Sequence, residues 1–383
     1  STMADVSEES IEPDITSKLF TDYVNVFLQC AFVLIGLPVN ISTLVYIWNK
    51  YRHARSFLLL LHINLNITDI LVLAVYSTGY VGWLITYEWV AGDLLCKIMR
   101  FSDVLIFAAS SNIMVCIAVY RLCALRSPLW VSAVGHSRVP RIVLSAWAVA
   151  LIVAFPQLFI WRTTTAEFPM GNGTIQTVHQ CVSVWTANMN NNVTFTDSDH
   201  SIMMGYNMSQ ILVMFYIPLA IVAICYVLIL KDIYSTLAVD CDESSVLYAS
   251  EITRLSSSSK RRSQTRSGDE PGVFLQNRAQ RGQDKFQRAK VRSLRITLLL
   301  ILTYIITWLP YNLLSWLMML QFKIYRDYED VLFFLHNLVV LNSVINPFIY
   351  GRCQGLKLLF RCGATKRELK KRDPKKKQVE CCL

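Results

Sequence analysis

Asp69 stands in the middle of an apolar stretch, Phe57–Ile85, that holds no Lys or Arg. An ionisable group inside a membrane costs about 2.5 kcal/mol or more unless it meets water or partners, so such residues are functional by default. Other apolar stretches offer polar groups at matching depth: Asn40, Ser110, Asn112, Asn342, Ser343 and Asn346. Brought together they would form a buried hydrated cluster. Its chemistry suits a small cation such as Na+, or a switching water network; bonds that only glue helix to helix are the plain alternative.

Asp103 and Arg121 share a second such stretch, Lys97–Leu122. Asp103 follows Cys96 by seven residues, which on a helix puts it about 10 Å below the outer end. Arg121 lies about 27 Å further along the same helix, at its inner end, so one helix touches both faces. Asp103 can pair with a basic or polar ligand group, or be a satisfied pocket acid. Pro218, Pro310 and Pro347 fall inside apolar stretches. Each removes a backbone hydrogen bond and permits a kink. In Trp308-Leu-Pro310-Tyr311 the indole sits beside the kink, where pressure from a ligand could tilt the inner end; a kink that only packs is the plain alternative. Paired membrane aspartates of protease type and metal-spaced histidines are absent from the sequence, so neither catalysis nor a certain metal site is expected.

The elements that must position these residues follow from composition. The chain has 383 residues, 54% hydrophobic and 17% charged, with a positive mean hydropathy. A helix needs about 20 apolar residues to cross the roughly 30 Å hydrocarbon layer. Seven runs qualify: Val24–Trp48, Phe57–Ile85, Lys97–Leu122, Ile142–Ile160, Ile211–Leu230, Leu294–Leu320 and Val331–Tyr350. Lipid cannot satisfy exposed backbone groups, and barrel strands would be shorter and alternating, so the runs are read as helices. The expected fold is an all-α bundle of seven transmembrane helices. It divides into an outer segment 1–22, a bundle 23–350 with a disordered inner loop 232–285, and a tail 351–383.

Charge fixes the orientation. Of 37 Lys and Arg, 31 fall in Asn49–Ser56, Arg121–Arg141, Lys231–Arg295 and Gly351–Leu383. Such segments face the cytoplasm, which leaves the amino end outside. The net charge of +10 therefore reads as membrane topology, with no nucleic-acid partner expected. The amino end carries no visible cleavable signal, and the first helix is expected to direct insertion. Asn172, Asn192 and Asn207 begin Asn-x-Ser/Thr sequons in a segment assigned outside, where glycans can be attached. Among eleven cysteines, Cys96 and Cys181 are the two clearly placed outside. A bridge between them would pin the long second outer loop over the bundle; two free thiols are the alternative.

The third inner loop carries Ser256–Ser259 beside Lys260-Arg-Arg262, where kinases could act. Lys285–Arg295 resumes a basic amphipathic pattern. After Tyr350, Gly351–Cys362 places apolar residues on one side and basic ones on the other, as in a short helix on the inner membrane surface. Cys353, Cys362, Cys381 and Cys382 are equally candidates for palmitoylation and ordinary free thiols.

From Val24 to Cys362 the chain resembles the rhodopsin-like (class A) G-protein-coupled receptors. The resemblance rests on Gly36-Leu-Pro-Val-Asn40, Leu65-Asn-Ile-Thr-Asp69, Cys96 with Arg121, Trp147, Pro218 with Tyr226, Trp308-Leu-Pro310, and Asn346-Pro347-Phe-Ile-Tyr350. Within that family, Trp89–Lys97, Arg126-Ser-Pro128-Leu, Tyr311 with Trp316, and Gly351 after Tyr350 look like the gonadotropin-releasing hormone, adipokinetic hormone and vasopressin/oxytocin receptors. The resemblance implies a plasma-membrane receptor for an extracellular peptide that activates a heterotrimeric G protein, with kinases and arrestin as further candidate partners. It places ligand-binding roles on Asp103, Phe107, Gln210 and Trp308, and on Tyr311, Asn312 and His336. Activation and coupling fall to Arg121, Tyr226, Trp308 and Pro310, and to Asn346, Pro347 and Tyr350. Asp327, Glu329 and Asp330 form an outer rim suited to a basic ligand.

Departures from the pattern carry expectations of their own. The acid that usually precedes the arginine is Tyr120 here, and the inner start of the sixth helix carries Lys290, Arg292 and Arg295 instead of an acid. A loosely held inactive state with raised basal signalling is expected, with weakened coupling the competing outcome. An amine ligand fits poorly, because Val340 stands where amine receptors carry tyrosine; the same residue excludes a retinal-binding lysine. A small lipid or pheromone-like ligand is the alternative within the family. A transporter or channel is a remote one, since no repeat is visible.

Overall fold

The computed structural model describes residues 15–86, 88–127, 139–169, 175–190, 196–235, 294–317 and 322–351. Seven long helices run through them: α1 (Ile15–Ala54), α2 (Phe57–Thr86), α3 (Gly92–Arg126), α4 (Pro140–Ile160), α5 (Asp197–Ser235), α6 (Leu294–Leu317) and α7 (Phe322–Gly351). The first six are each long and apolar enough to cross a membrane, and α7 carries the shorter apolar helix Phe334–Ile349. α1 packs on α2 and α7, and α3 packs on α2 and α4. The bundle is the expected one.

The helices outrun the apolar stretches that announced them. α1 begins at Ile15 rather than near residue 23, α3 at Gly92, α5 at Asp197 rather than Ile211, and α7 at Phe322 rather than Val331. Hydropathy marks where hydrocarbon ends, whereas a helix continues into water until a cap stops it. At the start of α5 the cap is explicit. Thr196 Oγ1 accepts from the Asp199 backbone N–H at 3.2 Å, and Asp199 Oδ2 accepts from the Thr196 N–H at 3.1 Å, a reciprocal capping box.

Two π turns interrupt the spans, at Val72–Ser77 in α2 and Leu212–Tyr216 in α5. The second lies just before Pro218, whose missing N–H weakens the ladder there. The first displaces the outer half of α2 just beyond Asp69. Gly36 of α1 lies against it so closely that a Cβ would fall 2.6 Å from Leu73 Cδ1.

The second outer loop, expected only as a long connection, holds an antiparallel hairpin of β1 (Trp161–Pro169) and β2 (Ile175–Ser183). Side chains that sit out of water here are of two kinds. Leu61, Leu65, Ile113, Ile117 and Tyr304 pack between helices, whereas Leu34, Ile41, Leu144, Ile152, Ile224 and Ile306 are large apolar groups exposed on the outside. Exposed oily side chains spread over four helices form the face that lipid covers.

Candidate functional site

Cys181 of β2 is disulfide-bonded to Cys96 of α3, so the hairpin is tied to the bundle as the outer cysteines implied. Hydrogen bonds reinforce the tie. The Trp89 N–H donates to the His179 carbonyl at 2.8 Å, and the Thr163 N–H donates to Asp93 Oδ1 at 2.9 Å. Beneath the hairpin lies a cavity of about 580 Å3, within the usual range for ligand sites of about 300–1,000 Å3.

Of the residues expected to bind ligand, Asp103, Phe107, Gln210, Tyr311 and His336 line this cavity. Trp308 and Asn312 do not. Trp308 lies beneath it, edge-on to Phe107 with ring centroids 5.6 Å apart. Asn312 turns back on its own helix, where Nδ2 donates to the Trp308 carbonyl at 2.8 Å. Pro310 lacks the N–H that would reach the Ile306 carbonyl, so the Asn312 side chain bonds one turn away from the bond that the proline removes. Gln210 Nε2 donates to Tyr206 Oη at 3.0 Å, and His336 Nδ1 is hydrogen-bonded to Tyr76 Oη at 3.0 Å.

Asp103 is already engaged. Arg100, one turn above it, donates from Nη1 to Oδ2 at 3.3 Å. The guanidinium lies between two indoles, 5.2 Å from the Trp83 ring and 4.9 Å from the Trp161 ring. Arg100 did not stand out in the sequence, although its place three residues before Asp103 is the spacing of a helical ion pair.

An aromatic chain leads inward from the cavity. Tyr311 meets His336 at 4.8 Å, and Trp308 meets Tyr304 at 5.2 Å and Phe215 at 6.2 Å. Tyr304 Oη is bonded to Ser111 Oγ at 3.1 Å. A group pressing on Phe107 is therefore one ring away from Trp308, two residues before Pro310.

At mid-depth, Asn346 Nδ2 donates to both carboxylate oxygens of Asp69, at 3.0 and 3.3 Å. Asn66 Nδ2 donates to Asn40 Oδ1 at 2.7 Å, and Asn40 Nδ2 reaches the Ser343 carbonyl at 3.1 Å. Ser110, Asn342 and Ser343 are buried too. Asn342 Oδ1 and Asn346 Oδ1 are buried without a hydrogen-bond partner among the described residues. A carboxylate with hydroxyl and amide oxygens is the donor set a hard cation takes. Asn112 belongs elsewhere: its Nδ2 donates to the Ala146 carbonyl of α4 at 3.0 Å, so its grouping with Asp69 is corrected.

At the inner end Arg121 Nε donates to Thr297 Oγ1 of α6 at 3.0 Å. A neutral hydroxyl thus takes up the arginine, which has no acid partner among the described residues, and Tyr120 instead packs edge-on against Phe57 at 4.6 Å. Tyr226 of α5 lies beside Arg121. Arg126 and Asp232 join the inner ends of α3 and α5 through contacts of 2.6 and 3.1 Å. Pro347 lies inside α7. Asn207 stands exposed on α5 and lines the cavity, where a sugar would crowd the entrance. Asn172, Asn192, the loop 236–293, the tail from residue 352 and the side chains of Tyr350, Asp327, Glu329 and Asp330 lie outside the described residues.

This arrangement, an outer cavity joined through an aromatic, proline-bearing helix to an inner arginine, is that of a transmembrane receptor. The profile of the 7 transmembrane receptor (rhodopsin family) matches residues 39–350, and the chain belongs to that family. It is a multi-pass membrane receptor and not an enzyme. It is 30% identical to the G-protein coupled receptor daf-38 of Caenorhabditis elegans, over 92% of this chain and 94% of that protein. It is 28% identical to the gonadotropin-releasing hormone receptor of Octopus vulgaris, over 79% of this chain and 64% of that one. With the neuropeptide S receptor of Homo sapiens it shares 23% identity, over 85% of this chain and 75% of that one.

Proposed function

We propose that the chain is a plasma-membrane receptor for an extracellular peptide and activates a heterotrimeric G protein, with the amino end outside and the carboxyl end in the cytoplasm. The observation that carries this reading is the cavity of about 580 Å3 under the disulfide-tied hairpin, walled by aromatic side chains. A wall of that kind grips the side chains of a short peptide with large apolar contact and few ordered polar groups. Similarity to receptors named for gonadotropin-releasing hormone and neuropeptide S supports a peptide.

Ligand bound above Phe107 biases the packing of Trp308, α6 swings about Pro310, and the Arg121–Thr297 bond opens to admit the G protein. Na+ at Asp69 would favour the state in which that cluster is closed, and would be released as α7 moves. Kinases and arrestin act on the cytoplasmic segments of the activated receptor.

The test is a screen of the expressed full chain with basic and amidated neuropeptides, reading calcium and cyclic nucleotide, with epitope tags on both ends. The reading expects a peptide response and tags on opposite faces of the membrane. Activation by a small lipid alone, or tags on one face, overturns it.

A further inference from the structure

We infer that Ser127 is a phosphorylation site for a proline-directed protein kinase, and that its phosphate takes Arg126 away from Asp232 and so releases α5 from α3 at the inner end. The inference rests on the receptor reading for the side of the membrane on which Ser127 lies, and adds a regulatory mark to it.

Ser127-Pro128 is the sole place in the 383 residues where Ser or Thr precedes Pro. A proline-directed kinase demands that neighbour, whose ring has no N–H to satisfy and keeps the preceding residue out of the helical region. Ser127 meets the demand. It ends α3 with an exposed side chain and a non-helical backbone, at φ −139° and ψ 66°. Its N–H donates to the Cys123 carbonyl at 2.8 Å, a bond in the last turn, where helices fray.

The residue before it is the one that ties two helices. Arg126 donates from Nε to Asp232 Oδ2 at 2.6 Å and from Nη2 to Asp232 Oδ1 at 3.1 Å. This fork joins α5 to α3 about 7.5 Å along the helix from Arg121.

In the transfer, the γ-phosphoryl group of ATP forms a P–O bond to Ser127 Oγ as its bond to the β-phosphate oxygen breaks. ADP leaves with that electron pair, and the hydroxyl proton passes to the kinase's catalytic carboxylate. The new group carries a charge of about −1.5 to −2, on the residue next to the guanidinium's own. Phosphate takes the same two-bonded fork that Asp232 uses, with more charge. It also meets Asp232 and the negative end of α3 as like charges. Both effects part α5 from α3.

The experiment treats the purified full chain in lipid nanodiscs, which leave both membrane faces open, with ATP and either a mitogen-activated or a cyclin-dependent kinase. Mass spectrometry reads the phosphate, and hydrogen exchange reads the amides of Leu228–Ser235. One phosphate is expected on Ser127 and none in Ser127→Ala. Exchange in Leu228–Ser235 should quicken about threefold on phosphorylation, the scale of an exposed ion pair. Asp232→Asn should quicken it equally without phosphate, and phosphorylating that variant should add little, because the tie is already cut; a general loosening by the phosphate would instead add to it. No phosphate on Ser127 from either kinase, exchange unmoved by the phosphate, or a full further rise in phosphorylated Asp232→Asn overturns the inference. The epitope tags score sidedness separately, so failure of the marking in nanodiscs overturns this inference and leaves the receptor reading standing.

Discussion

Arg121 on α3 is bonded to Thr297 on α6 at 3.0 Å, so that among the described residues a neutral hydroxyl ties these helices at the inner end. A hydrogen bond from a charged donor contributes about 1.5–3 kcal/mol, less than a paired buried carboxylate is able to supply. Thr297→Val keeps the shape and removes the acceptor. Basal nucleotide exchange on the purified G protein should rise about tenfold, since about 1.4 kcal/mol shifts a two-state ratio by that factor. Tyr120→Asp, which puts an acid next to Arg121, should lower it. Basal exchange unmoved by both changes would remove this tie from the account.

Asn337 bridges α7 to α1. Its Oδ1 accepts from Gln29 Nε2 at 2.8 Å, and its Nδ2 donates to Asn25 Oδ1 at 2.7 Å. All three residues are nearly fully buried. Interhelical bonds in membranes average about 0.6 kcal/mol and reach about 1.7, so Asn337→Leu should cost about 1–3 kcal/mol and lower the melting temperature in nanodiscs. Gln29→Leu alone should cost less. Equal melting of all three proteins would show the bridge to be idle.

Gly36 admits no side chain without displacing Leu73. Overpacking of this kind costs about 1–3 kcal/mol. Gly36→Ala should lower the melting temperature, and adding Leu73→Ala should recover much of the loss because the new methyl fills the space vacated. Additive losses in the double variant would place the clash elsewhere.

The Cys96–Cys181 bond closes 85 residues of chain. Removing such a link typically costs about 2–5 kcal/mol. Replacing both cysteines with serine should reduce surface expression and loosen the hairpin over the cavity, seen as faster hydrogen exchange in β2. Exchange unchanged in β2 would mean that the bonds to Trp89 and Asp93 hold the hairpin by themselves.

The sequence announced the bundle because oil imposes a long apolar run on every span, and it announced Asp69, Asp103 and Arg121 because charge stands out against that background. It did not announce the ends of the helices, since a capping box such as Thr196–Asp199 is a local polar signal lying beyond the hydropathy boundary. The hairpin was missed because its strands alternate weakly. Arg100, Thr297 and Asn337 were missed for another reason: each matters through a partner on a neighbouring turn or helix, and such a polar residue looks ordinary until that partner is in view. Asn112 erred the other way, since depth along the chain says nothing about which way a helix face turns.

If ligand binding drives coupling, the outer cavity and Arg121 must work as one device. The most direct measurement is nucleotide exchange on a purified heterotrimeric G protein by the full chain in nanodiscs, with and without a peptide from the screen, for the native receptor and for Arg121→Gln. The peptide is expected to accelerate exchange by the native receptor, whereas Arg121→Gln is expected to bind the peptide still but to lose the acceleration. Full acceleration by Arg121→Gln would contradict it.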